Sequence, residues 1–279
     1  MKINVAKSAG FCFGVKRALR IASEAAKSKE KVYMLGDIVH NEDVAGDIKK
    51  AGIKTIKFLS NGKGKTLIIR AHGTASKISK KAYLCGFKII DATCPMVKEI
   101  HKIAKDSEKK GYQIIIIGDK KHDEVKGIAG QLQNPAIVID KVVTIPRAKL
   151  KKIKKAAIVT QSTQNLENVL KIIAVLKRKV KDLKFFNTIC RPTRIKQEEI
   201  RIMPLKNDVM IIIGSKTSAN TRRLYQISKS LNKNSFWVQS KDNIKTGWFR
   251  NAKCVGITSG ASTPNLTTQT IIEYIKKIT

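Results

Sequence analysis

The chain is 279 residues long, 42% hydrophobic and 28% charged, a balance that excludes a disordered or low-complexity polymer and leaves room for a sizeable core. Its apolar runs, such as IIII at 114–117, are far too short to span a bilayer, and the charged N-terminus MKINVAKSAGFCFGVKRALR lacks the apolar stretch of a secretory leader, so a cytoplasmic protein with no membrane association is expected. The net charge of +35 raises nucleic acid as a partner, yet 45 of the 56 basic residues are lysines scattered over the whole chain and aromatics are only 5%, so no nucleic-acid partner is expected.

In chain order, short apolar runs alternate with helix-period segments. The first third offers strands at INVA near 3, VYML near 32, IKFL near 56 and LIIRA near 67. The second offers KIID near 88, IIII near 114, AIVI near 136 and AAIV near 156; the third offers KFFN near 184, VMIII near 209, FWV near 236 and CVGIT near 254. Continuous rather than alternating apolarity predicts buried parallel strands. Val15, Leu19 and Ala22 predict a helix after Cys12, Val97, Ile100, Ile103 and Ala104 one after Cys94, and Leu166, Val169, Leu170 and Ile173 a third. Ser262 and Thr263 are expected to cap a last helix with Pro264 in its first turn. The helix after Cys190 is expected to end at Met203, because Pro204 disfavours helix before it. The expected class is α/β, with ligands outside the carboxyl ends of the strands.

One spacing recurs three times. Cys12, Cys94 and Cys190 each precede a glycine by 24 residues (Gly36, Gly118, Gly214) and a polar residue by 28 (His40, His122, Ser218). A threefold internal repeat is therefore expected, with units at 13–94, 95–190 and 191–279, the last completed by residues 1–12. A second polar loop follows in each: RAHGT at 70–74, TQSTQ at 160–164 and TSGAST at 258–263.

The repeat brings three cysteines and two polar rings to equivalent loops. His40, His122 and Ser218 with Asn220 form one ring; His72, Ser162 with Thr163, and Ser262 form the other. Cysteines in a reducing compartment are metal-bound or catalytic more often than bridged. Three thiolates without a fourth suit an iron–sulfur cluster better than closed structural zinc, while a catalytic zinc with Cys and His ligands stays open on residue types alone. Glu124 is the carboxylate placed to move protons. Serine, threonine and asparagine before helices are ordinary caps, but the same geometry also binds phosphate. Cys85 and Cys254 lie off the spacing and read as small buried hydrophobes, and His101 reads as a satisfied structural histidine. A metal-dependent diphosphate hydrolase and a basic nucleic-acid binder with structural cysteines are the competing classes.

The motif series AGFCFGVKRAL (9–19), VHNE (39–42), RAHG (70–73), DATCP (91–95), HDEVKG (122–127), TQST (160–163), NTIC (187–190), SAN (218–220) and SGASTP (259–264) resembles the 4-hydroxy-3-methylbut-2-enyl diphosphate reductase family over almost the whole chain. The resemblance implies a trefoil of three similar units, with small mainly parallel sheets, around one 4Fe-4S cluster held by Cys12, Cys94 and Cys190 with its fourth iron open. It implies reductive dehydration of an allylic diphosphate to isopentenyl and dimethylallyl diphosphate, the last step of the methylerythritol phosphate route to isoprenoids. A reduced ferredoxin or flavodoxin type donor is then expected. Glu124 would deliver protons with help from Thr163 and His122. His40, His72, Ser218, Ala219, Asn220 and Ser262 would hold the diphosphate, with His122, Ser162 and Thr163 also facing substrate. The chain departs from the family at Asp123, where proline is common and where an added charge is expected to raise the proton affinity of Glu124. It also departs at Ala219, where a second serine is common, and at Pro192 and Lys196, where alanine and arginine are usual.

Overall fold

The computed structural model describes residues 1–279. The chain divides into two compact units, one of Met1–Lys16, Val39–Gly46 and Arg191–Thr279, the other of Arg17–Ile38 and Asp47–Cys190. In order the elements are β1 (Lys2–Val5), α1 (Phe13–Ala26), β2 (Lys31–Leu35), α2 (Glu42–Lys50), β3 (Lys54–Ile56), β4 (Lys65–Ile69), α3 (Ser76–Leu84) and β5 (Lys88–Asp91). Then come α4 (Pro95–Lys109), β6 (Gln113–Ile117), α5 (Asp123–Ala129), β7 (Ile137–Ile139), α6 (Arg147–Leu150), β8 (Lys155–Thr160), α7 (Leu166–Lys177) and β9 (Asp182–Phe185). The last are α8 (Arg191–Ile202), β10 (Val209–Ile213), α9 (Ala219–Leu231), β11 (Ser235–Val238), β12 (Cys254–Ser259) and α10 (Asn265–Ile278).

Every strand pair is parallel, as the continuous apolar runs predict. The strands make three four-stranded sheets with one order: β3-β2-β4-β5, β7-β6-β8-β9 and β11-β10-β12-β1. KIID and KFFN are thus the outer strands of the sheets built by the strands before them, and INVA is the outer strand of the last sheet, rather than each opening the third in which its run lies. Ile3 pairs with Val255, Ile89 with Leu67 and Leu183 with Ala156. An apolar run does not record its partner; α3 returns the chain beside β4 and α7 beside β8, while β1 joins β12 from the opposite end of the sequence.

Both faces of the β6–β8 pair are covered. Ile115, Ile117 and Ile158 pack into one cluster with Ile172 and Leu176 of α7, while Ile114, Ile116 and Val159 pack into another with Ile100 of α4 and Ile128 of α5. At about 1.5–3 kcal/mol for each such side chain buried, these two layers dominate the second unit's stability. In the first unit Ile211, Ile213 and Ile257 pack on Ile271 and Ile275 of α10.

In the sheets of β2–β5 and β6–β9 the two central strands send the chain in opposite directions along the sheet, and a crevice opens at such a switch point; β10 and β12 hold the same central places in the third sheet. Gly36, Gly118 and Gly214 close the first central strand, their amides bonding Ile56, Ile139 and Val238 at 3.2, 2.9 and 2.9 Å. A Cβ on Gly118 would lie 2.7 Å from Val125 Cγ2 and 2.9 Å from Gln161 Cβ, and one on Gly214 would lie 2.7 Å from the Thr263 hydroxyl. The repeated glycines are there because the two loops of each switch point nearly touch.

Candidate functional site

Cys94 is the N-cap residue of α4, and Cys12 and Cys190 directly precede α1 and α8. The three amides make equivalent bonds into the second polar loops: Cys12 N–H to Ala261 C=O, Cys94 N–H to Ala71 C=O and Cys190 N–H to Ser162 C=O, all at 3.0 Å. The thiols are unbridged and half-buried. A sulfur at the start of a helix lies beside backbone N–H groups that the helix itself does not use. The donor set suits an iron–sulfur cluster in type and in burial.

The second unit gathers an acid. Glu124 lies in the first turn of α5 and is 2% exposed. Its carboxylate accepts from the Ser162 amide at 2.6 Å and from the Ser162 hydroxyl at 2.8 Å. His122 caps the same helix, its Nδ1 accepting from the Glu124 amide at 3.2 Å, and its ring stands edge-on to His72 with centroids 5.4 Å apart. Gln161 ties the loops again, accepting from the Asp119 amide at 3.0 Å and donating to the Thr163 hydroxyl at 3.1 Å. Asp123 does not add a bare charge beside Glu124: Arg70 Nη1 pairs with it at 2.9 Å, so the expected electrostatic push is compensated.

The first unit gathers polar groups suited to an anion. Ser218 caps α9, accepting from the Thr221 amide at 3.3 Å, and Ala219 and Asn220 follow with their amides at the positive end of that helix. Asn220 is 5% exposed and its Nδ2, a donor, has no hydrogen-bond partner. Ser262 does not cap α10 as expected; its hydroxyl donates to the His40 carbonyl at 3.2 Å, Thr263 donates to the Ile213 carbonyl, and Pro264 takes the N-cap position. The loop after β10 reaches the start of α2 through Ser215, whose hydroxyl donates to Glu42 at 2.9 Å.

The chain as a whole has counterparts among known proteins. The LytB protein family profile matches residues 3–276. The chain belongs to the LytB family. The 4-hydroxy-3-methylbut-2-enyl diphosphate reductase of Aquifex aeolicus is 41% identical over 98% of this LytB chain and 94% of the relative, and that of Clostridioides difficile is 36% identical over the full length of both. A solved structure of (E)-4-hydroxy-3-methyl-but-2-enyl diphosphate reductase, described as the terminal enzyme of the non-mevalonate pathway, superimposes with a TM-score of 0.73 at 39% identity, covering 99% of this chain and all of the other. The reductase of Plasmodium falciparum superimposes with a TM-score of 0.89 at 28% identity over 98% and 87%.

Some features of the LytB chain escape sequence reasoning. Lys196, in mid α8, is 2% exposed, and burial pulls its ammonium down to about 8 against the opposing attraction of Cys12 and Glu199. Nothing in the run RPTRIKQ marks it as the buried one. His101 is buried as expected but not satisfied: its Nε2 has no hydrogen bond, and burial lowers it to about 4, so it packs as a neutral ring against Gly73. Cys85 and Cys254 are half-buried rather than core residues, and the Cys254 thiol donates to Lys206 C=O and Asp208 at 3.4 Å. No helix is long and apolar enough to cross a membrane.

Proposed function

We propose that this chain reductively dehydrates 4-hydroxy-3-methylbut-2-enyl diphosphate to isopentenyl and dimethylallyl diphosphate, the last step of the methylerythritol phosphate route. The observation that carries the reading is the set of three matched cysteines, each at a helix start and each held by its amide to a second polar loop, in a chain of the LytB family. Cys12, Cys94 and Cys190 are the ligands of one 4Fe-4S cluster per chain, and their repeat equivalence supports the division at 94 and 190. When bound, the cluster supplies electrons and an open iron that acts as a Lewis acid.

The reaction consumes two electrons and two protons and releases one water. Glu124 supplies the proton that lets the allylic oxygen leave as water, since hydroxide is a poor leaving group. Ser162 holds that carboxyl through both amide and hydroxyl, and Thr163, His122 and His72 line the same loops. Ser218, Asn220, the Ala219 amide, His40 and Ser262 take the diphosphate, with His72 as a further contact. Binding energy spent there positions the reacting carbon. The electron donor is a reduced ferredoxin or flavodoxin type protein, for which the lysine-rich surface offers complementary charge, and the compartment is the cytoplasm.

Anaerobic purification tests the reading. The expected chain is brown, with about four iron and four sulfide per chain, and gives both products with a strong reductant. Colourless protein that resists reconstitution sinks it, and zinc with reductant-free release of phosphate would mean a hydrolase instead.

A further inference from the structure

The loop from Ala6 to Cys12 leaves β1 and carries the first cysteine to α1. Its backbone polar groups need partners, and two side chains on one face of α8 provide them. Lys196 Nζ donates to the Ser8 carbonyl, to the Gly10 carbonyl at 3.2 Å and to the Ser259 carbonyl at 3.0 Å. Glu199, one turn on and on the same face, accepts from the Ser8 amide at 3.1 Å and from the Ser8 hydroxyl. The Gly10 amide donates to Ser259 Oγ at 2.6 Å, two residues before the Cys12 amide meets Ala261. Gly10 has a φ of 94°, and a Cβ on it would lie 2.1 Å from Asn265 Oδ1, so the loop fits against α10 only as glycine.

Lys196 is the one lysine among the buried residues. A buried ammonium is costly, and an apolar side chain of similar volume would fill the space without that cost. An ammonium has three N–H donors, and this one has three carbonyl acceptors. The acceptors belong to the loop before Cys12 and to the last residue of β12, so the charge acts as a clamp between them.

We propose that Lys196 is the positioning residue for the Cys12 sulfur, locking residues 8–10 to the end of β12 and so setting where that thiolate stands before a cluster binds. The proposal rests on the assignment of Cys12 as a cluster ligand made above.

The test uses the full chain, reconstituted anaerobically, as wild type, Lys196→Met, Lys196→Gln and Lys196→Arg. Two quantities are read: the rate at which a chelator bleaches the cluster, and amide hydrogen exchange over residues 8–12 against residues 93–95 of the Cys94 loop. Lys196→Met is expected to lose the cluster about tenfold faster or more, with faster exchange confined to 8–12. Lys196→Arg, which keeps several donors and the charge, is expected to restore most of both. Wild-type bleaching and exchange in Lys196→Met overturn the proposal. So does uniform loosening of both loops, which would mark a general packing role. If Lys196→Met does not fold by circular dichroism, Lys196→Gln decides on the same two readouts. If the wild type takes up no cluster, the ligand assignment fails, and the exchange comparison in the cluster-free chain still scores Lys196.

Discussion

Glu124 accepts two hydrogen bonds from the single residue Ser162, one from its amide at 2.6 Å and one from its hydroxyl at 2.8 Å. The two residues come from different loops of one switch point, α5 after β6 and the turn after β8. The Ser162 carbonyl meanwhile accepts from the Cys190 amide at 3.0 Å. One residue therefore fixes both the acid and the backbone of a cysteine.

Glu124→Gln keeps the shape of the side chain but cannot act as an acid. Turnover should fall by about 10²–10⁴ with iron content unchanged. Ser162→Ala leaves the amide in place and removes one donor, so a smaller loss of about ten- to a hundredfold is expected. Equal turnover of Glu124→Gln and wild type would remove Glu124 from the proton path.

Cys94→Ser should give a chain that folds by circular dichroism but holds little iron or sulfide after reconstitution, because a hydroxyl is a poor replacement for a thiolate. Full iron and sulfide in that variant would exclude Cys94 as a ligand.

Asn220 presents a buried donor with no partner. If it meets the diphosphate, Asn220→Ala should raise KM about tenfold or more, and Asn220→Asp should raise it further by adding like charge. Steady-state kinetics with unchanged KM in both variants would place the diphosphate elsewhere.

His101 has its pKa lowered from 6.5 to about 4 by burial. Between those values the unfolded chain binds the proton and the folded chain does not, so stability is complete above pH 6.5 and declines as pH falls to 4, by about 3 kcal/mol in all. Denaturant titrations of the cluster-free chain should show that acid loss, and His101→Gln should flatten it. A wild-type slope in the variant would place the titration elsewhere.

Gly118→Ala would press a methyl against Val125 and Gln161 at under 3 Å. A destabilisation of about 1–3 kcal/mol is expected, with turnover falling as α5 and Glu124 shift. A neutral effect on both would show that the two loops have room to part.

Much of this was legible in the chain. The parallel strands follow from apolar runs such as VMIII at 209–213, buried at every position in β10, and the threefold spacing anticipates one strand order repeated in three sheets. The cysteines stood out because equivalent loops repeated a residue type that core packing does not require, and Glu124 because only the second unit sets a carboxylate beside a histidine and a Ser-Thr pair. Partnerships were less legible. Grouping the strands by thirds put INVA with VYML, whereas the repeat spacing gave residues 1–12 to the last unit; β1 pairs with β12 across more than two hundred residues, and the cap expected at Ser262 failed because its hydroxyl finds the His40 carbonyl instead.

The sequence by itself determined the α/β class and the motif series by which the chain belongs to the LytB family, since these depend on residue type and on spacings of a few tens of residues. Only the tertiary structure decided what each charge faces. Arg70 compensates Asp123 beside the buried acid, and Lys196, identical in composition to the lysines that coat the surface, is drawn inside because three carbonyls from distant segments converge on its nitrogen. A hydrogen-bond partner or a buried charge is settled by which backbone groups are left over once the strands have paired, and that remainder exists only in three dimensions.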